Sequence, residues 1–204
     1  SYIRADVLGL KAGSYSVKVV PVDAAGKEMA GANTVSNLVV KNYNREGFAH
    51  FNLEGIGAYN NDGTLKSDAK VLYITASTAK TVSTEVITGA NNKKETVKGL
   101  QAIIDAYQKG YDTTPIAFRI IGKVSLADLD GTSSSAEGLQ IKGKTGYSTM
   151  NMTFEGVGDD ATIYGFGFLV RSAKSVEFRN FAIMRCLDDA MSLDTENSNI
   201  WIHH

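Results

Sequence analysis

The chain of 204 residues is 43% apolar, enough to build a substantial core in one or two domains. Its 21 Lys and Arg against 22 Asp and Glu leave a formal charge of −1, which removes bulk attraction to nucleic acid, and no basic run restores it. No apolar stretch of about 18 residues and no charged-then-apolar leader occurs, so a membrane span and an intact signal peptide are both excluded, and the single cysteine, Cys186, excludes an internal disulfide.

In chain order, residues 2–8 read as a strand, Gly13 as a turn, and residues 14–22 as a second strand with Tyr15, Val17, Val19 and Pro21 facing inward. Residues 34–40 make a third. Three strands cannot close a sandwich, because two sheets must cover each other's apolar faces. Residues 41–70 are polar and rich in Gly and Asn, and read as a linker or an ordered surface loop with a turn at Asn60-Asn-Asp-Gly63.

Beyond that stretch, residues 71–75 form a clear strand and residues 84–88 a further one. Residues 98–109 read as a helix, with Leu100, Ile103, Ile104 and Tyr107 at helical spacing and Gly110 as the stop. Such a helix suits the open end of a solenoid, where a bare strand invites edge pairing. Residues 117–124 are apolar enough for a strand buried on both sides, residues 138–142 make a short strand, and residues 128–137 project as a loop.

The last fifty-odd residues repeat. Asn151-Met-Thr-Phe154, Ser175-Val-Glu-Phe178 and Asn199-Ile-Trp-Ile202 start 24 residues apart, and Gly167-Phe-Leu-Val170 and Ala190-Met-Ser-Leu193 start 23 apart. A unit of this length cannot bury its own apolar face, so the period implies stacked coils. With no room for a long helix, the fold class expected is all-β, a partial parallel β-helix.

Three stretches resemble the pectate lyase family of polysaccharide lyases. They are Thr162-Ile-Tyr-Gly-Phe-Gly-Phe168, Ser175-Val-Glu-Phe-Arg-Asn-Phe-Ala-Ile183, and Asp188-Asp-Ala-Met-Ser-Leu-Asp194 followed by Ser198-Asn-Ile-Trp-Ile-His-His204. The resemblance in order and spacing covers residues 115–204, and the helix at 98–109 resembles the capping helix of such enzymes. Residues 8–22 resemble the last half of a fibronectin type III domain. Together these imply a right-handed parallel β-helix over residues 42–204, preceded by a short β-sandwich fragment over residues 1–41.

The resemblance also implies chemistry: calcium-dependent β-elimination on polygalacturonate, by a secreted or cell-surface bacterial protein. Calcium bridges carboxylates of enzyme and substrate and offsets the enolate-like charge as the proton alpha to the uronate carboxylate leaves. Carried over residue by residue, Asp189 matches one calcium ligand, Asp188 stands beside it, and Leu187 occupies the place where many members have another Asp. His203 stands where the family has Asp, in a pair that is mainly structural. The catalytic arginine and further calcium ligands of the family belong to later strands, so this chain is expected to be the first half of a lyase, inactive alone, with a C-terminal continuation or complementary polypeptide.

Arg185, near the acidic pair, is the groove candidate for binding uronate carboxylates, and Arg179 is assigned to the scaffold. Asp194 and Glu196 are read as corner residues facing water, and Trp201 as packing before sugar stacking. Asn180 is placed in an asparagine ladder, Cys186 is taken as buried and inert, and the histidines 203 and 204 are expected on opposite faces of one strand. Two alternatives stand beside the lyase: a noncatalytic β-helical polyuronate-binding protein, and a lyase for another uronate polysaccharide.

Overall fold

When segments of a chain repeat at a fixed interval, in-register parallel pairing sets like residues on like, and each apolar position meets its counterpart. The computed structural model, which describes residues 5–132, 136–144 and 148–204, has this arrangement. The chain is mostly β, with parallel sheets and one short helix. Its strands are β1 (Gly13–Val19), β2 (Asn33–Val40), β3 (Lys70–Ile74), β4 (Ser83–Gly89) and β5 (Lys93–Lys98), then, after helix α1 (Leu100–Gln108), β6 (Ile116–Ser125), β7 (Gly138–Lys142) and β8 (Ser148–Tyr164). The remainder are β9 (Gly167–Arg171), β10 (Ala173–Arg179), β11 (Ala182–Met184), β12 (Met191–Asp194) and β13 (Ser198–His203).

One parallel sheet runs β13-β10-β8-β6-β3, with β11 paired to the far end of β8, and a second runs β12-β9-β7. On β10, Val176, Glu177 and Phe178 pair with Met152, Thr153 and Phe154 of β8 on one side and with Ile200, Trp201 and Ile202 of β13 on the other. The 24-residue period is therefore the pairing register. In the second sheet Phe168 of β9 pairs with Met191 of β12 and Leu139 of β7.

The inward faces of the two sheets share one core. Phe118, Phe154 and Phe178 stack along successive strands with ring centroids 4.8 and 5.3 Å apart, and Phe168 meets Phe154 and Phe178 from the second sheet at 5.2 and 5.0 Å. Near the starts of β8, β10 and β13 stands a left-handed residue, Asn151, Ser175 and Asn199, at φ 49°, 65° and 53°. The corner thus recurs with the repeat.

Helix α1 buries Leu100, Ile103, Ile104 and Tyr107, the residues whose spacing predicted it. Its Gln101 side chain accepts from the backbone N–H of Gln140 at 3.0 Å and donates to that residue's carbonyl at 3.1 Å, satisfying the outer edge of β7 as a further strand would. No helix among the described residues is long and apolar enough to cross a membrane.

Several expectations are corrected. Residues 5–8 are not in a strand, and residues 2–4 of that expected strand lie outside the described residues. Strands β1 and β2 form an antiparallel hairpin in which Val19 is 56% exposed, and Pro21 beyond it is also exposed, because no second layer among the described residues packs there to receive them. Strand β5 was not anticipated: its run Lys93-Lys-Glu-Thr is charged and solvated, and it pairs with β4 around Asn91 and Asn92, whose positive φ suits a tight hairpin. The loop expected at residues 128–137 starts from a 3-10 turn at Leu126–Asp128, and residues 133–135 of it lie outside the described residues.

Of the two readings of residues 41–70, the structure has the ordered surface loop: Arg45 and residues 55–59 are buried where it lies as a strap on the outward face of the larger sheet. Polar composition concealed this because the contact runs through the backbone. Gly57 and Ala58 N–H donate to Ser175 Oγ at 3.0 Å and Thr153 Oγ1 at 2.9 Å, and a Cβ on Gly57 would collide with Thr153 Oγ1.

Candidate functional site

Alternation along the short sheet divides its residues between an inner and an outer face. Leu139, Ile141, Phe168 and Val170 point in, while Gln140, Leu169 and Ser192 form one outward row and Lys142, Arg171 and Asp194 the next. Together with Glu137 they line an open groove of about 430 Å³. Ser192 Oγ lies 3.1 Å from Asp189 Oδ2 and 3.2 Å from Glu137 Oε1, so two carboxylates meet one hydroxyl at its rim. Arg171 pairs with Asp194, and the Thr195 hydroxyl, then Arg171, hold the Asp194 carboxyl below its ordinary range. Asp194 faces water as expected, with 39% of its side chain exposed, and lines the groove as well.

Gly167 positions the acidic turn. A Cβ there would collide with the carbonyl oxygens of Asp189 and Ala190, and Phe168 N–H donates to the Ala190 carbonyl at 3.0 Å. Those neighbours are backbone and cannot rotate away. Gly167→Ala is expected to cost about 1–3 kcal/mol by overpacking and to displace Asp189 from Ser192, measured as a lower urea midpoint with an unchanged slope.

Of the residues expected to act, Asp189 reaches the groove through its contact with Ser192. Asp188 and Asp189 are both exposed, and none of Asp188, Asp189 and Arg185 is among the residues lining the groove. Arg185 takes a left-handed backbone, φ 53°, at the end of β11, with its guanidinium carbon 5.9 Å from the Tyr164 ring centroid. The cations that face the groove are Lys142 and Arg171. Among the described residues no three His, Cys, Asp or Glu side chains gather around one point. The donors at Asp189, Glu137 and Ser192 are hard oxygens of the type calcium takes, and fewer than its usual six to eight.

A second constellation lies on the outward face of the larger sheet, beneath the strap. Register brings Tyr73, Arg119, Glu155, Arg179 and His203 into one row across five strands, with Thr153, Glu177 and Trp201 in the row beside it. Glu155 accepts from the Tyr59 hydroxyl at 2.6 Å, Arg119 Nε at 2.9 Å and Arg179 Nη2 at 2.6 Å. Glu177 is 0% exposed and accepts from Arg45 Nη2 at 3.0 Å and Thr153 Oγ1 at 2.9 Å, with His203 Nε2 3.1 Å away.

Burial pushes the Glu177 carboxyl up, but the His203 hydrogen bond and the Arg179 and Arg45 charges outweigh it and hold the group below its ordinary value. Burial, then Glu155, pushes the Tyr59 hydroxyl up to about 12. Both carboxylates are saturated with donors, so this layer is framework chemistry, and Arg179 belongs to it as expected for a scaffold residue.

Three expectations fail here. His203 and His204 do not diverge: their Nδ1 atoms are 2.7 Å apart and lie 2.9 and 3.2 Å from Tyr43 Oη, because His204 turns into the left-handed region at φ 63°. Asn180 builds no asparagine ladder; Gly156 and His204 occupy the positions one repeat away, and its side-chain amide donates to the Gly156 carbonyl at 2.7 Å. Cys186 is half-buried, set in the turn between β11 and β12 outside the core.

The framework carboxylates escaped sequence reading because Glu155 and Glu177 look like the solvated alternates of amphipathic strands. The signal that could have found them is the repeat itself: Glu155, Arg179 and His203 recur every 24 residues, as do Thr153, Glu177 and Trp201. Comparison of the chain with protein-family models, with curated proteins and with solved structures finds no match.

Proposed function

We propose that this chain carries the substrate groove of a calcium-dependent pectate lyase built on a right-handed parallel β-helix. The alternation of the chain between the two parallel sheets, with returns of 23 or 24 residues from β8 to β10, β10 to β13 and β9 to β12 after longer ones before them, supports the coil. The observation that carries the function is the groove on β7, β9 and β12, where Asp189, singled out by the family resemblance, meets Glu137 at Ser192 beside Lys142 and Arg171.

On this reading Lys142 and Arg171 bind the carboxylates of polygalacturonate and orient the chain along the sheet, Arg171 being preorganised by Asp194. Asp189 and Glu137, with Asp188 adjacent, hold calcium together with water and substrate oxygens. Bound there, calcium supplies charge neutralisation at the uronate carboxylate as the alpha proton leaves. Arg185, outside the groove, contacts substrate only where it extends past β11. No residue of this chain is assigned as the base that takes the proton, and the protein acts outside a bacterial cell, secreted or on its surface.

The test is the absorbance of unsaturated uronates released from polygalacturonate by the complete gene product, with and without chelator. Calcium-dependent product is expected, with Asp189→Ala lowering the rate at fixed calcium by about 10–100-fold or more. Activity indifferent to chelator overturns the calcium assignment. Leu187, at a position where the family usually has an acid, favours the second reading, a noncatalytic polyuronate-binding protein. That reading predicts calcium-dependent retention on polygalacturonate with no product.

A further inference from the structure

The framework layer contains an unbalanced charge that the lyase reading does not use. Arg45 is 4% exposed, and its Nη2 is committed to Glu177, but its Nε and Nη1 are buried with no acceptor. Both ring nitrogens of His50 are likewise buried and unpartnered. The two side chains flank the same indole: the Arg45 guanidinium carbon is 4.8 Å from the Trp201 ring centroid, and the His50 ring meets it edge-on at 4.8 Å.

Buried donors without acceptors are costly, those of a charged group most of all, so an acceptor is required at this point. Charge selects its type. Arg45, Arg119 and Arg179 lie in the layer, opposed within it by the carboxylates of Glu155 and Glu177, while Lys66 against it is faced by Asp68. Lys66 Nζ is held by the Gly57 and Gly55 carbonyls at 2.9 and 3.4 Å. The surplus is positive. A metal cation would be repelled by the guanidinium, and a water would satisfy donors while leaving the charge unbalanced in a medium where unbalanced charge is expensive. Burial, then Arg45, also holds the His50 ring below its ordinary value, as expected beside an excess of positive charge.

We propose that a small monovalent anion, a halide in ordinary saline, is bound against Arg45 Nε and Nη1 and a ring N–H of His50, alongside Trp201. It completes the charge balance of the layer that joins the strap at residues 41–60 to the large sheet. The strap is thereby an anion-stabilised element.

The chain has one tryptophan, so its fluorescence reports on this place alone. Bromide is expected to quench Trp201 along a saturating curve in the 204-residue chain, and replacing gluconate by chloride or bromide at constant ionic strength to raise the thermal midpoint by about 5 °C once the anion exceeds its dissociation constant about 100-fold. Arg45→Met is expected to abolish both responses. If Arg45→Met does not fold, His50→Phe, which keeps the packing against Trp201, is expected to weaken the bromide midpoint about tenfold. Linear, unsaturating quenching, or equal midpoints in gluconate and halide, overturns the proposal and assigns the orphan donors to buried water.

Discussion

Glu177→Ala is expected to destabilise the chain by about 3–5 kcal/mol, which for a protein of this size lowers the thermal midpoint by about 10 °C. The substitution leaves Arg45 and Arg179 buried without the carboxylate that both face, and it frees Thr153 Oγ1 and His203 Nε2 at the same time. The cost is that of uncompensated buried charge. Glu177→Gln separates this from packing, since it keeps the shape and an acceptor but removes the charge, and most of the loss is expected to persist.

The pH dependence has a definite sign. The Glu177 carboxyl is held below its ordinary value in the folded chain, so its contribution is fully present above the unfolded pKa of about 4.3 and is lost as pH falls through the lower, folded value. Urea titrations from pH 7 to pH 3 should therefore show wild type and Glu177→Gln separated by a constant difference at neutral pH that shrinks below about pH 4.3. A difference that grows with acid would place the carboxyl's stabilisation elsewhere.

Phe154→Ala is the second large effect, with an expected loss of about 3–5 kcal/mol. Phe154 is the ring on which the core turns: it stacks on Phe118 and Phe178 within its own sheet and contacts Phe168 of the other. Removing it opens a hole lined by three aromatic faces that rigid parallel strands cannot close. Phe154→Leu fills much of that space and is expected to cost about 1–2 kcal/mol. Equal losses for the two, measured as urea midpoints, would show that the ring's volume is not what joins the sheets.

The register of the stacked strands was legible because it is a local property repeated. Met152, Val176 and Ile200, or Phe154, Phe178 and Ile202, are each the same apolar choice made at one interval, and parallel pairing needs nothing more to align them. Helix α1 was legible for a similar reason, from four apolar residues at helical spacing. Asp189 was singled out through a motif, and the tertiary structure sets it against Ser192, the hydroxyl that Glu137, 52 residues away in sequence, also meets.

The strap could not be read in the same way. Its burial depends on Gly57 and Ala58 offering backbone N–H groups to Ser175 and Thr153, and on Arg45 reaching Glu177 across 132 residues, contacts with no period and no apolar signature. The turning of His204 back towards His203 is equally silent in sequence, since it rests on one backbone angle.

By itself, then, the amino-acid order determined which residues stack, since a recurring apolar pattern carries its own pairing rule. Only the tertiary structure decided which polar residues are buried together and which carboxylates share a groove. Those neighbours come from distant segments, and their energy depends on desolvation, a quantity that no local pattern of residue types encodes.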